Sequence, residues 1–451
     1  MPPPLPPLTG DQPPLLACKP PGPESRSWLV RAARTSAPMG PPSTRETTLG
    51  VTAEVPSSSI VYSRAFGANV VDVDGNRYVD LAAGFGALLV GHGHPSVLRV
   101  ASLASDRLLQ ALGDVHPSDA KIALAERLSS LFPEPGARVI LGQSGADAVT
   151  AALKTSVLAT GRPGVVAFRG AYHGLSYAPL AACGLRDSYR EPFLSQLGAH
   201  VTFAPYPSSE EEAERALSDV RAALASGSVG AVLVEPVLGR GGCVVPPPGF
   251  LHELGRVTRE RGALLIADEI WTGLGRTGSM LRVTAENVVP DLVCLGKGLG
   301  GGFPMSACIG SDAVMRSWRR EREVVHTSTF AGAPFAAATS IALLDVLSRE
   351  HLVERSREVG ARWLAAIEAE TAAVPGVAGV RGVGLMIGVD LGPRPGVASL
   401  AARRLLERGY IVSTGGGGRE IVVLTPPLNT AESLLFGFVS KLAESLERLG
   451  A

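Results

Sequence analysis

The sequence predicts an α/β fold, with a large unit built on a mainly parallel sheet and a smaller α+β unit after it. Three observations predict this. Between about residues 81 and 335, short apolar strands alternate with amphipathic helices, a pattern that requires crossover connections and a sheet covered on both faces. After residue 336 the pattern changes to long helices around a few strands. The chain has 451 residues, 45% of them apolar and 19% charged, enough for more than one core and too apolar for a disordered chain.

The elements follow in order. Residues 1–42 hold 13 of the 35 prolines and read as an extended, weakly ordered arm, with Ser25–Arg34 as a short amphipathic turn docked on the body. Residues 43–80 form a segment that packs with the smaller unit. Within it, 60–80 reads as a β-meander turned by Asp74-Gly75-Asn76. The large unit, 81–335, has helical patterns at 119–132 and 210–226 and strands at 137–141, 164–168, 231–234, 264–267 and 292–294. The smaller unit, 336–451, has helices at 336–350, 352–370, 397–408 and 431–448, with strands at 379–390, 410–413 and 420–424. Gly415–Gly418 reads as a flexible loop tip.

Charge and cysteine use narrow the function class. Forty-two basic residues balance 42 acidic ones, which argues against a broad nucleic-acid or anionic-membrane footprint. Five cysteines without a paired spacing argue against a disulfide scaffold or a metal site and fit a reducing, cytoplasmic setting. The N-terminus shows no signal-peptide pattern. Val324–Leu344 lacks formal charge over 21 residues, but its Ser, Thr, Gly, His326 and Pro334 suit a bilayer core poorly.

Ligands of open α/β sheets bind beyond the carboxyl ends of the strands. Three strand ends carry chemistry: Glu235-Pro236, Asp268-Glu269 and Gly296-Lys297-Gly298. Lysine occurs only at 19, 121, 154, 297 and 441, so a lysine between glycines is unlike filler. Desolvated, such an amine loses its proton readily and can form an imine. Gln143-Ser144-Gly145-Ala146-Asp147 opens a helix and offers amides to an anion, although an ordinary N-cap reads the same way. Tyr172 offers an aromatic face. Together these are the parts needed to hold pyridoxal 5′-phosphate: a lysine for the aldehyde, an acid for the ring nitrogen, a helix end for the phosphate and a ring to stack. A rival is the Gly273-Leu-Gly-Arg-Thr-Gly278 turn, which satisfies the dinucleotide pattern and would make the chain an NAD-dependent oxidoreductase. The segment after it is a poor helix start.

From about residue 45 to 450 the chain resembles the class III (subgroup II) pyridoxal-phosphate aminotransferases. The resemblance rests on Asp80-Leu-Ala-Ala-Gly-Phe-Gly86, Gly91-His-Gly-His-Pro95, Gln143-Ser-Gly-Ala-Asp-Ala148 and Ala171-Tyr-His-Gly174. It continues in Glu235-Pro-Val-Leu-Gly-Arg-Gly-Gly242, Ala267-Asp-Glu-Ile-Trp-Thr-Gly-Leu-Gly-Arg-Thr-Gly278, Gly296-Lys-Gly298, His326-Thr-Ser-Thr-Phe-Ala-Gly332 and Pro426-Pro-Leu428. It implies the aspartate-aminotransferase-like fold (type I of the pyridoxal-phosphate enzymes) in a homodimer or dimer of dimers. By it, Lys297 forms the aldimine and shuttles the proton, and Asp268 pairs with the ring nitrogen. Ser144, Gly145 and Ala146 hold the phosphate, Tyr172 stacks, and Glu235 stands near the substrate end of the cofactor. Thr329 matches a phosphate-binding threonine supplied by the partner subunit. The implied reaction moves an amino group from an amine or amino acid to an oxo acid. A racemase or epimerase of the same family is the alternative.

Departures from the family pattern bear on substrate. Leu175 stands where members acting on 4-aminobutyrate, ornithine or acetylornithine carry arginine, and Val423 replaces their late arginine. Leu238, Arg240 and Trp271 also depart from the usual text. With Phe85 and Trp271 near the cofactor, the expectation is a more apolar pocket, with any substrate carboxylate resting on Arg240 or on Arg419.

Overall fold

The computed structural model describes residues 7–37, 44–48, 51–55, 59–319 and 324–450. Among them are seventeen strands: β1 (Thr44–Thr48), β2 (Val51–Val55), β3 (Tyr62–Phe66), β4 (Asn69–Asp72), β5 (Arg77–Asp80), β6 (Arg138–Gly142), β7 (Gly164–Phe168), β8 (Val201–Ala204), β9 (Val229–Val234), β10 (Leu264–Asp268), β11 (Leu292–Leu295), β12 (Ser306–Gly310), β13 (Gly379–Val383), β14 (Met386–Asp390), β15 (Tyr410–Ile411), β16 (Ser413–Gly415) and β17 (Ile421–Leu424).

The large sheet has the order β6-β12-β11-β10-β9-β7-β8. β12 runs antiparallel to both β11 and β6, and the other pairings are parallel. Six strands therefore point the same way, and their carboxyl ends share one edge. The central strands are buried along their whole length, as Val-Gly-Ala-Val-Leu-Val in β9 shows. Such continuous apolar runs are what a sheet covered on both faces requires, each Val or Leu contributing about 1.5–3 kcal/mol over exposure. Helix Phe250–Glu260 buries Phe250, Leu251, Leu254 and Val257 on one stripe, the 3.6-residue pattern of a covering helix.

The smaller domain carries the sheet β13-β14-β17-β16, flanked by helices Leu352–Thr371 and Glu432–Gly450. Besides the β1-β2 pair, a further sheet, β15-β5-β4-β3, joins the segment before residue 81 to the chain near 410, with β15 parallel to β5. The meander and its turn form as expected.

Two expectations change. Of the Pro-rich arm, residues 12–30 are held against the body rather than loose, 31–37 are exposed, and 1–6 and 38–42 lie outside the described residues. Asn69 Oδ1 accepts from the Gln12 amide, Asn76 Oδ1 from Cys18, and both Asp74 carboxylate oxygens accept from Glu24 and Ser25 at the start of helix Pro23–Ala33. These long-range bonds supply partners that the arm lacks within itself. The Gly415–Gly418 tip is likewise held. Gly415 lies in β16, and Arg186 donates to the carbonyls of Gly416 and Gly417 at 3.0 and 2.7 Å. No helix among the described residues is long and apolar enough to cross a membrane.

Candidate active site

A cavity of about 450 Å³ opens at the carboxyl edge of the large sheet. Its wall includes Ser144, Gly145, Ala146, Tyr172, Glu235, Arg240, Asp268, Trp271 and Lys297, with His173, Leu175 and Ile270 among the rest. The topology explains the convergence. Glu235 follows β9, Asp268 ends β10, Lys297 lies just past β11, and Asp268 is in register with Cys294.

Lys297 sits at φ +43°, a left-handed conformation rare for a side chain with Cβ. Such strain persists only where the surroundings enforce it, and it is concentrated at functional sites. Its Nζ lies 4.2 Å from the Trp271 ring centroid. Burial pushes the ammonium down to about 8, against the opposing pull of Asp268 and Glu235, with the Arg240 charge adding to the lowering.

Asp268 is buried; its Oδ1 accepts from the Ile270 amide at 3.1 Å and its Oδ2 lies 2.6 Å from His173 Nδ1. The other histidine nitrogen, Nε2, is buried without a partner. Glu235 acts as a clamp: Oε1 accepts from the Tyr172 amide at 2.7 Å and Oε2 from Gly239 at 2.9 Å. Burial raises its carboxyl above the ordinary range. One carboxylate thus fixes both the aromatic platform and the loop that carries Arg240.

Ser144 caps helix Gly145–Thr160 through a capping box with Asp147. The first-turn amides of Gly145 and Ala146 have no protein acceptor among the described residues, so the positive end of a sixteen-residue helix faces the cavity. A Cβ on Gly145 would come within 2.8 Å of Ile270, so any larger residue there would have to displace the Ile270 side chain.

Below the opposite wall, Ala83, Gly84, Phe85 and Gly86 form a left-handed turn with φ of +46°, +61°, +59° and +78°. Asp80 holds it, its Oδ1 accepting from Ala82 and Ala83 and its Oδ2 lying 3.1 Å from His92 Nε2. Gly86 passes so close to Trp271 that a Cβ would lie 2.3 Å from Nε1. This turn props Trp271 against the cavity.

The remaining candidates fall outside. Phe85 does not line the cavity; it is exposed, with its ring centroid 6.0 Å from the Arg240 guanidinium. Arg419 is exposed in a left-handed turn at φ +59°, its carbonyl accepting from Ala398, and it too is outside the wall. Thr329 is exposed and not part of this chain's cavity wall, its carbonyl accepting from Gln110 at 2.9 Å. His173, which the sequence offers only as the neighbour of Tyr172, is brought against Asp268 by the fold.

The dinucleotide alternative fails on geometry. In the Gly273–Gly278 turn the amides of Gly273, Leu274, Gly275, Arg276 and Gly278 are all engaged within residues 269–280. Arg276 is fully buried and donates to the carbonyls of Leu385 and Pro426. The turn ties the two domains together, and five of its six amides are already engaged, which leaves no cradle for a pyrophosphate.

A sequence model of the class III aminotransferases matches residues 51–446. The acetylornithine aminotransferase of Mycobacterium tuberculosis (strain H37Rv) is 38% identical over 387 residues, covering 85% of this chain and 90% of its own. The diaminobutyrate–2-oxoglutarate aminotransferase of Rhizobium meliloti is 34% identical, covering 87% and 88%. Among solved structures, an amine transaminase from an uncultivated Pseudomonas species, in its pyridoxal-phosphate-bound form, matches with a TM-score of 0.82 at 27% identity, over 87% of this chain and 96% of its own. The ornithine aminotransferase of Toxoplasma gondii matches with a TM-score of 0.80 at 26% identity, over 94% of each chain.

Proposed function

The chain belongs to the class III aminotransferases and is a pyridoxal-phosphate-dependent enzyme; on that premise we propose a role for each residue of the cavity. The observation that carries the reading is the meeting of Lys297, Asp268 and a free helix N-terminus in one cavity. Bound pyridoxal phosphate supplies an aldehyde that bonds to amines and a ring that accepts electron density from a carbon losing its proton.

The residues present fit that group. Ser144 and the amides of Gly145 and Ala146 would hold its phosphate. Asp268, kept in place by Ile270 and His173, would keep the ring nitrogen protonated, and Tyr172 would cover the ring face. Lys297 would hold the group through its side-chain amine and would serve as the base toward the substrate carbon; burial lowers its Nζ to about 8, which favours the neutral amine that both roles need. Glu235 positions Tyr172 and the 239–240 loop, while Ile270 and Trp271 exclude water.

The donor we infer is an amine or amino acid with an uncharged or apolar remainder. The activities for which the relatives are named point to acetylornithine or diaminobutyrate, but Leu175 and Trp271 line this wall. Val423 is fully buried beside Trp271 in the cluster behind it. A guanidinium clamp at position 175 or 423 is therefore absent. The test is a donor panel with pyruvate and 2-oxoglutarate as acceptors, alongside chiral analysis of a single amino acid without oxo acid. An apolar donor should lead and no inversion should accumulate. Either 4-aminobutyrate or acetylornithine leading by tenfold, about 1.4 kcal/mol of transition-state preference, refutes the apolar pocket, and inversion alone would favour the racemase.

The working unit we infer is a homodimer or dimer of dimers. Exposed apolar residues support it: Leu108, Leu109, Leu112 and Val115 flank Gln110, which bonds to Thr329, the neighbour of the exposed Phe330. Thr329, itself exposed, would complete the partner's phosphate site. Thr329→Ala is expected to weaken cofactor retention about tenfold, the order of one hydrogen bond to a charged group, measured by dialysis and absorbance. An active monomer by light scattering would contradict it. The five unpaired thiols and the balanced charge support a cytoplasmic enzyme that binds neither nucleic acid nor membrane.

A further inference from the structure

Arg240 is the one guanidinium lining the cavity among the described residues. It stands over the Tyr172 ring at 5.0 Å and the Phe85 ring at 6.0 Å, a placement in which aromatic faces hold a cation without neutralising it. No carboxylate among the described residues pairs with it, and its Nε is buried without a hydrogen-bond partner. A guanidinium with no acid, aimed at a cavity, needs an anion from outside the chain.

The loop that carries it is built to keep it there. Glu235 accepts from the Gly239 amide, and the Arg240 carbonyl accepts from Gly416 at 2.8 Å. Gly416 and Gly417 are gripped in turn by Arg186. The backbone is thus fixed from both domains, while the side chain keeps its donors free.

The other charged groups of the wall have work to do. Both oxygens of Glu235 accept backbone amides, Asp268 is held by His173 and Ile270, and Lys297 is bonded to the cofactor on the reading above. The rest of the wall includes the apolar side chains of Leu175, Ile270 and Trp271 alongside Ser176, with no further lysine or arginine.

We propose that Arg240 is the single carboxylate anchor of this enzyme, used in turn by the amino acid and by the oxo acid, and that it makes the enzyme select monocarboxylic over dicarboxylic oxo acids. The proposal rests on the aminotransferase reading of the cavity. A guanidinium binds one carboxylate through two parallel N–H···O bonds. Since donor and acceptor occupy the cavity in alternation, one such fork serves both. A second carboxylate, as on 2-oxoglutarate, would be pressed against leucine, isoleucine and tryptophan with no cation to meet it, which is costly.

The test is equilibrium binding to the cofactor-loaded enzyme of two inert probes of equal length, pentanoate and glutarate, by titration calorimetry, with the visible spectrum recorded throughout. Wild-type protein is expected to bind pentanoate at least tenfold tighter than glutarate. Arg240→Gln should weaken pentanoate at least tenfold, and Arg240→Lys should fall between, keeping the charge but losing the fork. Retention of the cofactor's visible absorption shows that the variants keep the cavity assembled. Glutarate binding tighter than pentanoate, or Arg240→Gln binding pentanoate like the wild type, overturns the proposal. A wild-type protein that takes up no cofactor would instead overturn the reading beneath it.

Discussion

Lys297→Ala is expected to abolish turnover, lowering kcat by a factor on the order of 10³ or more, because one amine is both the covalent tether and the base. Cofactor uptake should persist in weakened form, since Ser144 and the helix amides remain. The wild-type amine also sets a pH dependence. Burial lowers it to about 8, and only the neutral amine is a nucleophile. The rate at which cofactor-free protein takes up pyridoxal phosphate should therefore rise with pH, reaching half its maximum near 8 rather than above 10. A midpoint above 10, read by stopped-flow absorbance, would show that Nζ is not desolvated.

Asp268→Asn is the second large effect. It keeps the shape of the contacts with His173 and Ile270 but removes the negative charge that would hold the cofactor's ring nitrogen protonated. A loss in kcat of about 10²–10³ is expected, the usual size for removing one preorganised electrostatic group. Asp268→Ala should also leave His173 Nδ1 without an acceptor in a fully buried setting. That adds about 1–3 kcal/mol of destabilisation, visible as a lower Tm in the cofactor-free protein. Unchanged kcat in Asp268→Asn would remove Asp268 from the mechanism.

The site was legible because its parts lie at strand ends and helix starts, where local patterns fix position. Glu235, Asp268, Lys297 and Ser144–Ala146 each follow a short apolar run, and the parallel order of those runs puts them on one edge. His173 was missed because its role comes from β10, ninety-five residues away, which no local pattern reports. β12 (Ser-Ala-Cys-Ile-Gly) escaped because small residues blur its strand pattern, and its reversed direction is set by its neighbours.

The Pro-rich arm and the glycine tip misled for a related reason. Composition describes what a segment lacks within itself, whereas Asn69, Asn76, Asp74 and Arg186 supply the missing partners from elsewhere in the chain. The Gly273–Gly278 turn matched a dinucleotide pattern by residue type alone. Five of its six amides are engaged within the turn, which depends on hydrogen bonding and not on spacing.

The central claim is that Lys297, and no other lysine, carries the cofactor. Borohydride reduction of the holoenzyme followed by peptide mass spectrometry tests it most directly. The account predicts a stable pyridoxyl-phosphate mass increment on the peptide containing Lys297, with Lys19, Lys121, Lys154 and Lys441 unmodified. An increment on one of those four instead, or none on Lys297 in protein that has taken up cofactor, would contradict it.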